Sequence, residues 1–149
     1  MSNDLKLDRL DRAILSQLQQ EGRLSNVELA DRVGLTPAPC LRRVKRLEAD
    51  GVIAGYRAVL DPAKIGRSFD VLVAVDIAAT ARATVEEFER AVIVFDEVVA
   101  ARRLFGRPDY QLQVAVADLA AYESFVLELN SLPAVTRTVS IQTMKKLKG

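Results

Sequence analysis

The sequence predicts an α+β protein in two parts: a small all-helical N-terminal headpiece joined by a linker strand to a C-terminal βαββαβ domain. Three observations carry that expectation. Apolar residues recur at helical spacing from Leu7 to Leu47, with caps and glycine stops between the runs. After residue 70 the apolar pattern switches twice between strand and helix periods. Between them, Asp61, Pro62 and Gly66 break both patterns, which sets the predicted parts at residues 1–60 and 61–149.

In the headpiece, Leu7, Leu10, Ile14, Leu15 and Leu18 place a first helix over about residues 8–20, with Gly22 as its stop. Ser25 opens a second helix. Its hydroxyl can accept from the Glu28 N–H while Glu28 reaches back to the Ser25 N–H, and Leu24 and Leu29 flank this reciprocal cap as a hydrophobic staple. The helix runs from Asn26 to about Val33, with Leu29, Ala30 and Val33 inward, and Gly34 supplies the left-handed residue that ends it. Thr36 is the N-cap of a third helix, and Pro37 fits its first position because no N–H is needed there. Cys40, Leu41, Val44 and Leu47 share its apolar face. Arg42 and Arg46 point the opposite way, Arg43 and Lys45 flank them, and Ala38 and Pro39 form the outer N-terminal end. Asp50 and Gly51 close the helix, and residues 52–60 read as an extended linker strand.

In the second part, strands are expected at 71–77, 97–106, 110–117 and 134–144. Helices are expected at 84–95, with Val85, Phe88, Val92 and Phe95 inward, and at 119–129, with Tyr122, Phe125, Val126 and Leu129 inward. A βαββαβ order puts both helices on one face of one sheet. The other face, carrying Leu, Val and Ala, needs a partner, so a face-to-face dimer is expected.

Composition narrows the function. The 149 residues contain no histidine and one cysteine, which removes the commonest general base, the commonest metal ligand and any intramolecular disulfide. No glycine-rich phosphate loop, nucleophile elbow or paired-carboxylate motif is present, so no catalytic residue, metal site or cofactor is expected. Cys40, on an apolar face, reads as a small core residue. No apolar run is long enough to span a bilayer and the N-terminus is too charged for a signal peptide, so a cytoplasmic protein is expected. A net charge of +1 argues against a protein that coats nucleic acid indiscriminately.

Distribution of charge matters more than its total. A cation run on a helix is ordinarily a solvated face, but this one lies opposite an apolar stripe, on the second member of a capped pair joined by a glycine turn. That is how a helix-turn-helix offers its recognition helix to the major groove of double-stranded DNA. Arg42 and Arg46 are the candidates for base edges or adjacent phosphates and Arg43 and Lys45 for phosphates. Ser25, Asn26 and Thr36 are the candidates for DNA-backbone contacts at helix N-termini, with Ala38 and Pro39 at the approaching end.

The segments LDRLDRAILSQLQQEGRLSNVELADRVGLTPAPCLRRVKRLEADGVIAGY, GRPDYQLQVAVADLAAYESF and LPAVTRTVSI together resemble the Lrp/AsnC (leucine-responsive and asparagine-regulator) family of transcription regulators, over essentially the whole chain. The resemblance implies a winged-helix-like headpiece and a ferredoxin-like, ACT-like C-terminal domain. It also implies dimers assembled into octamers around which DNA wraps, a nucleoid-associated location, and a small effector, commonly an amino acid, bound where dimers meet. The family's turn at that site corresponds here to Gly106, Arg107, Pro108, Asp109 and Tyr110, and its opposing wall to Thr138 and Ser140. In that role Gly106 allows a tight turn whose backbone donors face the effector carboxylate, and Asp109 pairs with its ammonium group. By composition alone the turn is an ordinary hairpin. The expected function is therefore sequence-specific, effector-modulated transcription regulation. An architectural DNA-wrapping protein without effector is the alternative. An enzyme is the remote one, because proteins of this two-domain build include tetrapyrrole decarboxylases.

Overall fold

The computed structural model describes residues 6–78 and 81–146. The chain divides into two compact units, Met1–Val59 and Leu60–Gly149.

The first unit holds three helices, α1 (Arg9–Gln20), α2 (Asn26–Val33) and α3 (Pro37–Ala49). Their inward stripes meet in a core of Ile14, Leu29, Ala30, Cys40 and Leu47, with Leu7, Leu15, Leu18, Leu24, Val33 and Val44 packed around it. Cys40 is fully buried and burial pushes its thiol pKa up, as befits a packing residue. Leu41, expected inward, is 41% exposed. The buried stripe of α3 is Cys40, Val44 and Leu47, one residue per turn, and Leu41 lies a helical step off it. Residues 52–60 carry no strand, contrary to the expected linker strand. A strand exists only by pairing, and among the described residues this segment forms no ladder; Val59 is 92% exposed.

The second unit follows the predicted order: β1 (Phe69–Ile77), α4 (Arg82–Val94), β2 (Val98–Arg103), β3 (Tyr110–Val116), α5 (Leu119–Ser131) and β4 (Val135–Gln142). The strands form one antiparallel sheet in the order β2-β3-β1-β4. Alternation sends Val71, Val73, Val75 and Ile77 of β1, with Tyr110, Leu112, Val114 and Val116 of β3, toward the helices. There they meet Val85, Phe88 and Val92 of α4 and Tyr122, Phe125 and Leu129 of α5. Phe95, expected to close the inward face of α4, ends that helix instead and packs edge-on against Phe125 with centroids 5.3 Å apart. Register puts Leu72 beside Gln113 and Ile141, and Ala74 beside Gln111 and Val139, on the opposite face. No element of the unit covers that face among the described residues. β2 ends three residues before its expected limit because the chain turns at once: the Leu104 N–H donates to the Asp109 carbonyl at 2.8 Å.

Candidate functional site

The helix pair is assembled by local hydrogen bonds. The Ser25 hydroxyl accepts from the Glu28 N–H at 3.2 Å and donates to the Glu28 carboxylate at 2.7 Å, and that carboxylate accepts from the Ser25 N–H at 2.9 Å. These bonds hold the Glu28 pKa below its ordinary value. Gly34 adopts φ 71°, ψ 36°, and the following Leu35 N–H returns to the Ala30 carbonyl at 2.8 Å, closing α2 with the expected left-handed cap. Thr36 has the extended backbone of an N-cap, but its side chain makes no capping bond. Asn26 does the tying instead. Its Nδ2 donates to the Pro37 carbonyl at 2.8 Å across the turn, fixing the start of α3 to the start of α2, while its Oδ1 is buried without a partner among the described residues.

The four cations of α3 separate into two pairs, and not the pairs the helical wheel suggests. Arg46, expected to face outward, places Nη2 2.6 Å from Asp11 of α1. Arg43 places Nη1 2.8 Å from the same Asp11 and 2.6 Å from Asp8. Arg42 and Lys45 are exposed and have no carboxylate within ion-pair distance among the described residues. The reason is side-chain reach. An arginine flanking the buried stripe can snorkel back over the neighbouring helix when a carboxylate waits there. Asp8 and Asp11 also cap α1 reciprocally, with the Asp11 N–H donating to Asp8 at 2.8 Å and the Asp8 N–H to Asp11 at 3.1 Å. Burial alone would raise the Asp11 pKa, but the bonds from Arg43, the Asp8 N–H and Arg46 outweigh it and hold the carboxyl below 3.8. This network was missed in the sequence, although an acidic pair at capping-box spacing, D-x-x-D, was legible at residues 8–11.

At the C-terminal unit, Gly106 has φ 123°, a conformation that excludes other residues without strain. One Asp109 carboxylate oxygen accepts from the Ile77 N–H at 2.9 Å, and so closes the end of β1. Tyr110 is buried against Phe88, centroids 4.8 Å apart, and donates to Glu89 at 2.7 Å. Burial, then the Glu89 carboxylate, pushes its pKa up to about 12. Thr138 pairs with Val75 and Ser140 with Val73, which puts both on the helix-covered face. The Thr138 hydroxyl donates to Asn130 at 3.0 Å and the Ser140 hydroxyl is hydrogen-bonded to that of Tyr122, both partners on α5. Within one chain they therefore do not form the expected wall facing the turn. Asp76, not singled out in the sequence, does lie at the turn. Its side chain is 12% exposed, its Oδ2 is 3.7 Å from Arg107 Nη1, and its Oδ1 is buried without a partner among the described residues. A cleft of about 230 Å³ between α4 and the α5–β4 connection is lined by Thr84, Glu87, Phe88 and Pro133, and by none of these site residues. Among the described residues no group of three or more His, Cys, Asp or Glu side chains could hold a metal ion.

A glycine-turned helix pair with exposed cations, followed by a sheet-and-helix unit, is the build of a DNA-binding transcription regulator with a ligand-binding domain. Residues 7–54 match the family model described as winged helix-turn-helix DNA-binding, and residues 70–149 match that of the Lrp/AsnC ligand binding domain. The chain is 43% identical to the leucine-responsive regulatory proteins of Escherichia coli K12 and Salmonella typhimurium, across 95% of this chain and 87% of theirs. Among solved structures, it is similar to a transcriptional regulator of Neisseria meningitidis in complex with L-Met (TM-score 0.91, 39% identity, 96% of this chain and 93% of that one). It is also similar to an AsnC family regulator of Agrobacterium tumefaciens (TM-score 0.89, 37% identity, 96% and 94%). The chain belongs to the Lrp/AsnC family.

Proposed function

We propose that this regulator meets its operator through α3, with Arg42 and Lys45 as the side chains that reach base edges and phosphates, and that an amino acid held beside the 106–110 turn modulates that binding. The observation that carries the effector reading is the loose Asp76–Arg107 pair, with one carboxylate oxygen unpartnered. A zwitterion offers an ammonium to the Asp76 carboxylate and a carboxylate to the Arg107 guanidinium, the two charges that such a ligand requires. Asp109, the residue expected to take the ammonium, already accepts from the Ile77 N–H. The L-Met complex of the Neisseria relative supports the ligand class.

The same proposal includes a cytoplasmic homo-oligomer. Leu72, Ala74, Val139 and Ile141 leave the sheet an apolar face suited to a second copy, and larger assembly up to the family's octamer would bring several copies of α3 to one DNA. The test is thermal unfolding of the full chain with L-leucine and L-methionine. A native-state ligand raises stability with the logarithm of its concentration above Kd. The expected result is a concentration-dependent upward shift with at least one of the two, lost in Asp76→Asn, whose DNA affinity is unchanged. An unshifted melt with every proteinogenic amino acid overturns the effector reading. A shift that survives Asp76→Asn moves the site elsewhere.

A further inference from the structure

Asp11 is the only charged side chain fully buried among the described residues, and it lies against the helix that should carry the greatest density of free cations. Stability alone is a poor reason for it. Desolvating a carboxylate and its guanidinium partners offsets most of their attraction, and apolar residues at such positions usually do as well. What the arrangement does do is electrostatic. Asp11 and Asp8 together neutralise Arg43 and Arg46, whose side chains remain 26% and 49% exposed and would otherwise be offered to phosphate.

We infer that Asp11, assisted by Asp8, is a specificity-determining positioning residue, which withholds two of the four α3 cations from the DNA backbone and leaves recognition to Arg42 and Lys45. Phosphate neutralisation raises affinity for every sequence alike, whereas base-edge contacts discriminate. Removing two cations from the first kind of contact therefore widens the gap between operator and random DNA. The same ion pairs fix the rotation of α3 about its axis, because Arg43 and Arg46 reach one carboxylate from successive turns of that helix.

The inference rests on α3 being the helix that enters the groove, and the experiment separates the two. Binding of the full chain to a duplex chosen by in vitro selection, and to a scrambled duplex, is measured over a salt series for wild type, Arg42→Gln, Arg46→Gln and Asp11→Asn. Each phosphate contact contributes roughly 0.9 to the log–log salt slope. Arg42→Gln is expected to lower the ratio of selected to scrambled affinity, and Arg46→Gln to leave both the ratio and the slope unchanged. Asp11→Asn frees Arg46 while Asp8 still holds Arg43, and is expected to steepen the slope by about 0.9 while lowering the ratio of selected to scrambled affinity. Equal flattening by Arg46→Gln and Arg42→Gln overturns the inference and leaves the recognition helix intact. An unchanged ratio in Arg42→Gln alongside a steeper slope in Asp11→Asn upholds the withholding and overturns the choice of reader. If Asp11→Asn does not fold, the Arg46→Gln comparison decides alone.

Discussion

At the residue scale the least replaceable carboxylate is Asp11, and its protonation sets an acid limit on the headpiece. Its folded pKa lies below 3.8 because the guanidinium and backbone bonds to the charged form outweigh its burial. The unfolded chain therefore binds the proton more tightly, and folding stability rises with pH across that window. The contribution is complete above the ordinary carboxylate range and drains away as pH falls through 3.8 toward the depressed value. Urea midpoints of the α1 and α3 amides, followed by hydrogen exchange, are expected to drop across that interval in wild type and to be flatter in Asp11→Asn. The neighbouring Asp8 is displaced in the same direction, chiefly by the Asp11 N–H and then by Arg43, and contributes with the same sign. Gly106 makes a second residue-scale point. Its φ of 123° strains any other residue whatever space surrounds it. Gly106→Ala is expected to lower the melting temperature of the C-terminal unit, a change read by calorimetry.

At the scale of elements, the Asn26 side chain joins α2 to α3, and its role is geometric. Asn26→Ala removes the bond to the Pro37 carbonyl and is expected to cost about 1 kcal/mol. Operator affinity should fall while the salt slope stays constant, since no phosphate contact is lost; a flatter slope would restore Asn26 to the DNA backbone. Much at this scale was legible in sequence. The Ser25–Glu28 cap, the left-handed Gly34 and the alternating strands each follow from bonds among residues a few positions apart, and such bonds are written in local order. What was not legible depended on distant partners. Arg43 and Arg46 are drawn to carboxylates more than thirty positions away, and a helical wheel drawn for α3 alone cannot include α1. The strand of Thr138 and Ser140 was legible, but which face they take depends on the register of β4 against β1, which the sequence does not state. Asp76 escaped notice because an acid near a strand end is ordinary until its neighbours are known. The linker failed as a strand for the same reason, lacking an edge to pair with.

At the scale of the whole molecule, the uncovered sheet face, through its proposed pairing, would set how many copies of α3 act together. Its rungs Leu72–Ile141 and Ala74–Val139 are apolar at the centre, so a charge there is incompatible with burial against a second copy. Ile141→Glu is expected to reduce the mass measured by light scattering and to weaken operator binding sharply, with the fold by circular dichroism unchanged; an unaltered mass would place the interface elsewhere. The N-termini of α2 and α3 have a further consequence. At the first, the carboxylate of Glu28 takes the Ser25 N–H, and the second begins Pro-Ala-Pro, leaving Ala38 as the one N–H among its first three residues. The start of α3 therefore does not offer the nest of backbone donors that commonly seats a phosphate. On the proposed docking of α3 the duplex is gripped there by side-chain tips, which can be exchanged one at a time without disturbing the scaffold. On that proposal a new operator is acquired by substitution at positions 42 and 45, while the buried network behind them keeps the helix in place.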